Sequence, residues 1–184
     1  MTASAISATG IAAALRKLYF VRFGFAIIWA ILILATGSDI NAASGTLLVL
    51  YPVFDVAAAI VDVRASKATR PSPGLYVNIA LSSITAISLA VAVSSGIPDV
   101  LRVWGVWAIT AGIVQLIVAI PRRQLGGQVP IFLSGGISVL AGGSFIAGAS
   151  ADDPSLAMIG GYAALGGIFF LISALRLRRT TGAQ

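Results

Sequence analysis

Along this chain the apolar residues gather into six runs, each long enough to cross a bilayer, and polar residues collect between them. The runs are Leu18–Thr36, Asn41–Val61, Leu75–Ser95, Val100–Ile120, Val129–Ala149 and Leu156–Leu175. A helix rising about 1.5 Å per residue crosses the roughly 30 Å of hydrocarbon in about 20 residues. Inside hydrocarbon every backbone N–H and C=O needs an internal partner, which leaves helices or closed barrels. Barrel strands alternate apolar and polar positions, whereas these runs are continuous. The pattern predicts an all-α membrane protein with six transmembrane helices arranged as three helical hairpins.

Proline marks the same boundaries. Pro71 and Pro73 fall in one connection, and Pro98, Pro130 and Pro154 fall at or just before helix starts. At a helix start the missing N–H costs nothing. Pro121 stands where the fourth run stops. Only Pro52 lies inside a run, where it removes one backbone hydrogen bond and predicts a kink in the second helix.

Charge adds orientation. Of the 184 residues, 12 are Lys or Arg and 6 are acidic, for a net charge of +6. Arg16, Lys17 and Arg22 open the first run, Arg64, Lys67 and Arg70 join runs two and three, Arg122 and Arg123 join four and five, and Arg176, Arg178 and Arg179 follow the sixth. The other three connections carry Asp39, Asp99, and Asp152 with Asp153, with Arg102 the one cation near them. Short loops rich in Lys and Arg stay in the cytoplasm, so both termini are expected there. The organisation is then a cytoplasmic tail over 1–17, a transmembrane domain over 18–175 and a basic tail over 176–184. In the first tail the charge follows the small apolar stretch instead of preceding it, unlike a secretory signal. Ile6, Ile11 and Leu15 suit a short surface helix. The basic residues are spread over four segments at one membrane face. That distribution argues for anionic lipid head groups as partners and against nucleic acid.

Three copies of one hairpin are visible. A shift of 56 carries Arg22, Ala26 and Ala30 onto Asn78, Ser82 and Ala86, and then onto Ser134, Ser138 and Gly142. A shift of 55 carries Ala108 and Gly112 onto Ala163 and Gly167, and backward onto Val53 and Ala57. Spacing by four puts each set on one helix face. Small residues so placed let helices approach closely in a membrane, and the same seams suit a second copy or a partner membrane protein.

The segments VRFGFAIIWAILIL, WAITAGIVQLIVAIPRR and GYAALGGIFFLISALRLRR resemble the hairpin repeats of the HdeD-like bacterial membrane proteins. The resemblance covers Leu18 to Arg179 and implies a six-helix protein of the bacterial inner membrane that supports acid or envelope stress tolerance. It carries over no catalytic or binding residues. The second and third copies lack the arginine of the first, Arg22, so three equivalent sites are not expected.

Little chemistry is on offer. The chain has no His and no Cys, which excludes thiol chemistry, disulfides, histidine proton relays and nearly all zinc sites. Gly126-Gly127 and Gly142-Gly143 sit in a loop and in a run, not in a phosphate-binding context. No catalytic residue, cofactor or metal is expected, and the chain does not read as an enzyme.

Ionisable residues inside the membrane are then the functional candidates. Arg22 lies about one turn inside the first run, and Asp55 about two turns from the end of the second. The short connection Gly37–Ile40 makes these helices antiparallel neighbours. The two residues are expected to pair or to share a polar cavity, because an unpaired charge at mid-bilayer costs at least about 2.5 kcal/mol. Snorkelling of Arg22 to the surface is the competing reading. Asn78 and Ser82 share a face of the third helix, so Arg22, Asp55 and Asn78 form the candidate intramembrane polar site. Thr110, Gln115, Ser134 and Ser138 read as hydrogen-bonding glue between helices more than as a pore lining. Trp104, Trp107, Tyr19, Phe20 and Tyr76 suit interface anchors or core packing. Asp62 beside Arg64 reads as a surface contact. Function stays open between a structural or interaction module, a small transporter or channel titrating at Asp55, and an accessory subunit of a membrane complex.

Overall fold

In the computed structural model the chain forms six helices, described over residues 3–66, 73–119 and 129–180. They are α1 (Ala3–Thr36), α2 (Ala42–Ser66), α3 (Pro73–Ala92), α4 (Ile97–Ala119), α5 (Val129–Gly148) and α6 (Ala157–Thr180). The described residues contain no strand. Five helices are long and apolar enough to cross a membrane over Ala13–Thr36, Ala42–Ala65, Pro73–Ala92, Ile97–Ile117 and Ala157–Arg176. In α5 the apolar stretch is Phe132–Gly148. The protein is a multi-pass, all-α membrane protein. Lys67, Arg70, Pro71, Ile120, Pro121, Arg122, Arg123 and the Gly126–Gly127 pair lie outside the described residues.

Helix limits follow local chemistry. Asn41 caps α2 by accepting the N–H groups of Ala43 and Ser44 on its side-chain oxygen, at 2.9 and 3.0 Å. Ser44 Oγ accepts the Asn41 N–H at 2.9 Å in return. This reciprocal box satisfies donors that a helix start leaves orphaned. Gly96, at φ +107°, turns the chain between α3 and α4 in a region that only glycine enters freely. The segment expected as a tail is helical from Ala3 and runs without a break into the first span.

The six helices close into a ring, each packed on its two sequence neighbours, with α6 returning to α1. Seams between successive hairpins (α2–α3, α4–α5 and α6–α1) are more extensive than seams within a hairpin. That alternation is what a threefold hairpin repeat produces when the second helix of one copy packs on the first helix of the next.

Glycine sets the closest seams. A Cβ on Gly105 would stand 2.7 Å from the Gly142 carbonyl oxygen, and one on Gly112 would stand 2.7 Å from that of Gly135. In the α6–α1 seam a Cβ on Gly167 would meet Ala26 Cβ at 3.2 Å. Lipid tails are as apolar as leucine, so helices associate through close packing and hydrogen bonds instead of escape from water. Large aliphatic residues accordingly point outward: Ile87 is 69% and Leu140 75% exposed.

The repeat register needs one correction. The 56-residue shift holds for the first helices: Ala26, Ser82 and Ser138 are all buried, as are Ile33, Leu89 and Phe145. For α2 the expected 55-residue match fails, because Val53 and Ala57 are exposed. The buried positions Leu48 and Pro52 align instead with Trp104 and Ala108 by a shift of 56. A slip of one residue turns a helix face by about 100°, enough to exchange a seam for a lipid face.

The centre of the ring is aromatic. Trp29, Tyr51, Trp104 and Trp107 touch one another, with ring centroids 4.7 to 6.1 Å apart. Trp104 and Trp107 are buried, at 0% and 8% exposure, so they belong to the core and not to a membrane-interface belt. Bulky rings are needed because helices on opposite sides of a ring stand too far apart for small side chains to meet.

Candidate functional site

Asp55 stands where three helices meet. Counting about 1.5 Å per residue from the far ends of α1, α2 and α3 puts Arg22, Asp55 and Asn78 all about 20 Å along their helices. Equal depth is what permits contact. Arg22 Nη1 donates to Asp55 Oδ1 at 2.9 Å. Asn78 Nδ2 and the Ser82 hydroxyl donate to Oδ2 at 2.7 and 2.8 Å. The structure therefore brings the three candidate residues together, one from each of the first three helices.

Both charges are largely buried, with side chains 13% and 15% exposed. A carboxylate in such a place needs compensation for lost water, and one cation plus two neutral donors supply it. The Arg22 guanidinium also lies over the Phe170 ring, with Cζ 5.0 Å from its centroid, which ties α6 to the cluster. A guanidinium over an aromatic face gains electrostatic attraction and a planar neighbour. Arg22 is thus engaged on both sides inside the bundle and does not snorkel.

The sequence puts Ser82 on the Asn78 face, one turn along, but does not mark it as a partner of Asp55, and it does not associate Trp107 or Phe170 with the site. Trp107 Nε1 donates to Ser82 Oγ at 3.2 Å, which extends the network into α4. The recognisable signal was periodic: Tyr51, Trp107 and Tyr162 occupy corresponding positions of the three copies.

The third copy repeats part of this arrangement. Tyr162 and Ser138 share a 2.8 Å hydrogen bond, matching Trp107 with Ser82 in the second copy. In the first copy Ala26 holds the serine position. The Asp55 position becomes Ala111 and then Gly166, so the carboxylate site occurs once.

Some polar groups also bond within their own helices. Thr110 Oγ1 donates to the Val106 and Trp107 carbonyls at 2.8 and 3.1 Å, and Ser138 Oγ donates to the Ser134 carbonyl at 2.8 Å. The Trp29 indole N–H bridges α1 to α2 by donating to the Leu47 carbonyl at 2.7 Å. That carbonyl adjoins the one that Pro52, lacking an N–H, leaves without its helical donor. Trp104 Nε1 is a buried donor with no acceptor.

The described residues hold no group of three or more metal-ligating side chains. An open groove lies outside the ring along Ala13, Arg16, Lys17, Phe20 and Val21. The geometry at Asp55 offers charge compensation and helix cross-linking. Compared with known protein families, with curated proteins and with solved structures, the chain matches none.

Proposed function

We propose that this membrane protein is a non-enzymatic structural or interaction module, and that the Asp55 cluster holds its first three helices in register. One observation carries the reading: both carboxylate oxygens of Asp55 are already engaged by donors of the chain itself. A transported ion would have to displace Arg22, Asn78 or Ser82 before binding. The lone carboxylate also suits this role, since proton-coupled carriers keep chains of acids or histidines inside the membrane.

The charge pattern supports cytoplasmic termini, and the resemblance to HdeD-like proteins supports a location in the bacterial plasma membrane. The resemblance to HdeD-like proteins supports a role in acid or envelope stress, exercised through the assembled bundle. The deciding experiment compares acid survival of a deletion strain carrying wild type, Asp55→Asn or Arg22→Gln at matched membrane abundance, with proton flux measured in liposomes. The structural reading expects no flux from any form. Wild-type flux that vanishes in Asp55→Asn would replace it with a small transporter or channel.

A further inference from the structure

We propose that the outward face of α1, at the end of the bundle holding the chain termini, binds the headgroup of an anionic phospholipid. The site is a groove on α1 lined by Ala13, Arg16, Lys17, Phe20 and Val21. Depth places it at the membrane boundary. Thirty ångströms of hydrocarbon measured back from Thr36 spans about 20 residues and ends at Arg16 and Lys17. Phe20 and Val21 then lie just inside the hydrocarbon, 37% and 50% exposed.

Among the described residues, neither Arg16 nor Lys17 has a carboxylate partner; the ion pairs shown are Arg22–Asp55 and Arg102–Asp99. Two unneutralised cations at one level, with apolar side chains directly beneath them, form a phosphate site over an acyl-chain site.

Arg16 is already oriented, with its Cζ 5.9 Å from the Phe20 centroid. Packing on the ring leaves the guanidinium edges to donate to phosphate oxygens, the geometry in which arginine recognises that group. A zwitterionic lipid brings its own cation toward Lys17, whereas phosphatidylglycerol brings none. Attraction of about fivefold per basic residue near an anionic surface sets the expected scale. The inference rests on the reading of this end as a membrane boundary, but not on which compartment it faces.

The test uses the full chain in nanodiscs of equal phosphatidylglycerol and phosphatidylcholine, released into the gas phase and weighed with its retained lipids. Both leaflets then have one composition, so failure to bind indicts the groove and leaves orientation to separate labelling. Wild type is expected to retain phosphatidylglycerol preferentially. Arg16→Gln with Lys17→Gln should lower that preference by about an order of magnitude, and Arg102→Gln at the other end not at all. All three are solvent-side changes, and an unchanged thermal midpoint verifies folding. Equal retention of the two lipids, an equal loss in Arg102→Gln, or displacement of phosphatidylglycerol by millimolar inorganic phosphate would each overturn the proposal.

Discussion

Trp107 donates its indole N–H to the Ser82 hydroxyl oxygen at 3.2 Å, and this bond decides what Ser82 does next. An indole nitrogen only donates, so Ser82 accepts there and its own proton is left for Asp55 Oδ2, 2.8 Å away. Direction runs from Trp107 through Ser82 to Asp55, where it meets the opposing donor Arg22. Such a chain suits an ionised carboxylate, which accepts on both oxygens. It links α4 to a carboxylate on α2 whose direct donors come from α1 and α3.

Removing one member of the ion pair should therefore cost more than removing both. Asp55→Leu leaves Arg22 buried without its partner, a loss of about 3–5 kcal/mol. Adding Arg22→Met to that variant should recover part of it. A double-mutant cycle on thermal or chemical unfolding in detergent should give a coupling of about 1–3 kcal/mol. Additive single losses would reject the pair as a stabilising unit.

Two neighbouring glycines should respond oppositely to the same change. A Cβ on Gly142 would stand 2.5 Å from the Gly105 carbonyl oxygen, while one on Gly143 meets nothing within 4 Å. Gly142→Ala should push α4 from α5 and cost about 1–3 kcal/mol. Gly143→Ala should be neutral or slightly stabilising, since alanine favours the helix. Unfolding midpoints of the two variants test the seam directly, and equal midpoints would refute it.

The central tryptophans differ in what their nitrogens do. Trp29→Phe loses the bond to the Leu47 carbonyl as well as ring volume. Trp104→Phe loses volume alone and removes a buried donor that has no acceptor, a group whose burial costs about 1–3 kcal/mol. Trp104→Phe should be the milder change by about 1 kcal/mol or more. A larger loss at 104 than at 29 would show that the Trp104 N–H has an acceptor in the folded protein.

Orientation is measurable because the chain has no cysteine of its own. Asp39→Cys and Arg64→Cys lie at opposite ends of α2. A membrane-impermeant maleimide added to intact cells is expected to label position 39 and not position 64. The reverse pattern would invert the topology inferred from the basic loops.

Membrane residence and the number of helices were legible in the chain because they depend on length and apolarity, which are local; the start of α1 at Ala3 was not, because its first residues are small and polar. Arg22 and Asp55 stood out for a related reason: a charge inside an apolar run is conspicuous in one dimension, and a four-residue connection makes its neighbour calculable. Asn78 joined them as a polar residue within the membrane, but nothing local said that Ser82, on the same face, would donate to the same carboxylate. The slip of the α2 register likewise escaped, because Val53 and Ala57 are as small and apolar as the buried positions beside them.

What tertiary structure alone decided is the closing of the ring. Docking of α6 on α1 placed Phe170 beside Arg22, 148 positions apart in the chain, and gathered Trp29, Tyr51, Trp104 and Trp107 at the centre. Hydropathy reports how strongly a residue prefers lipid to water. Inside a bilayer both faces of a helix can be apolar, so that preference does not say which one meets protein. The choice falls to shape: bare glycines permit close approach, rings fill the middle, and one carboxylate finds three donors at its own depth.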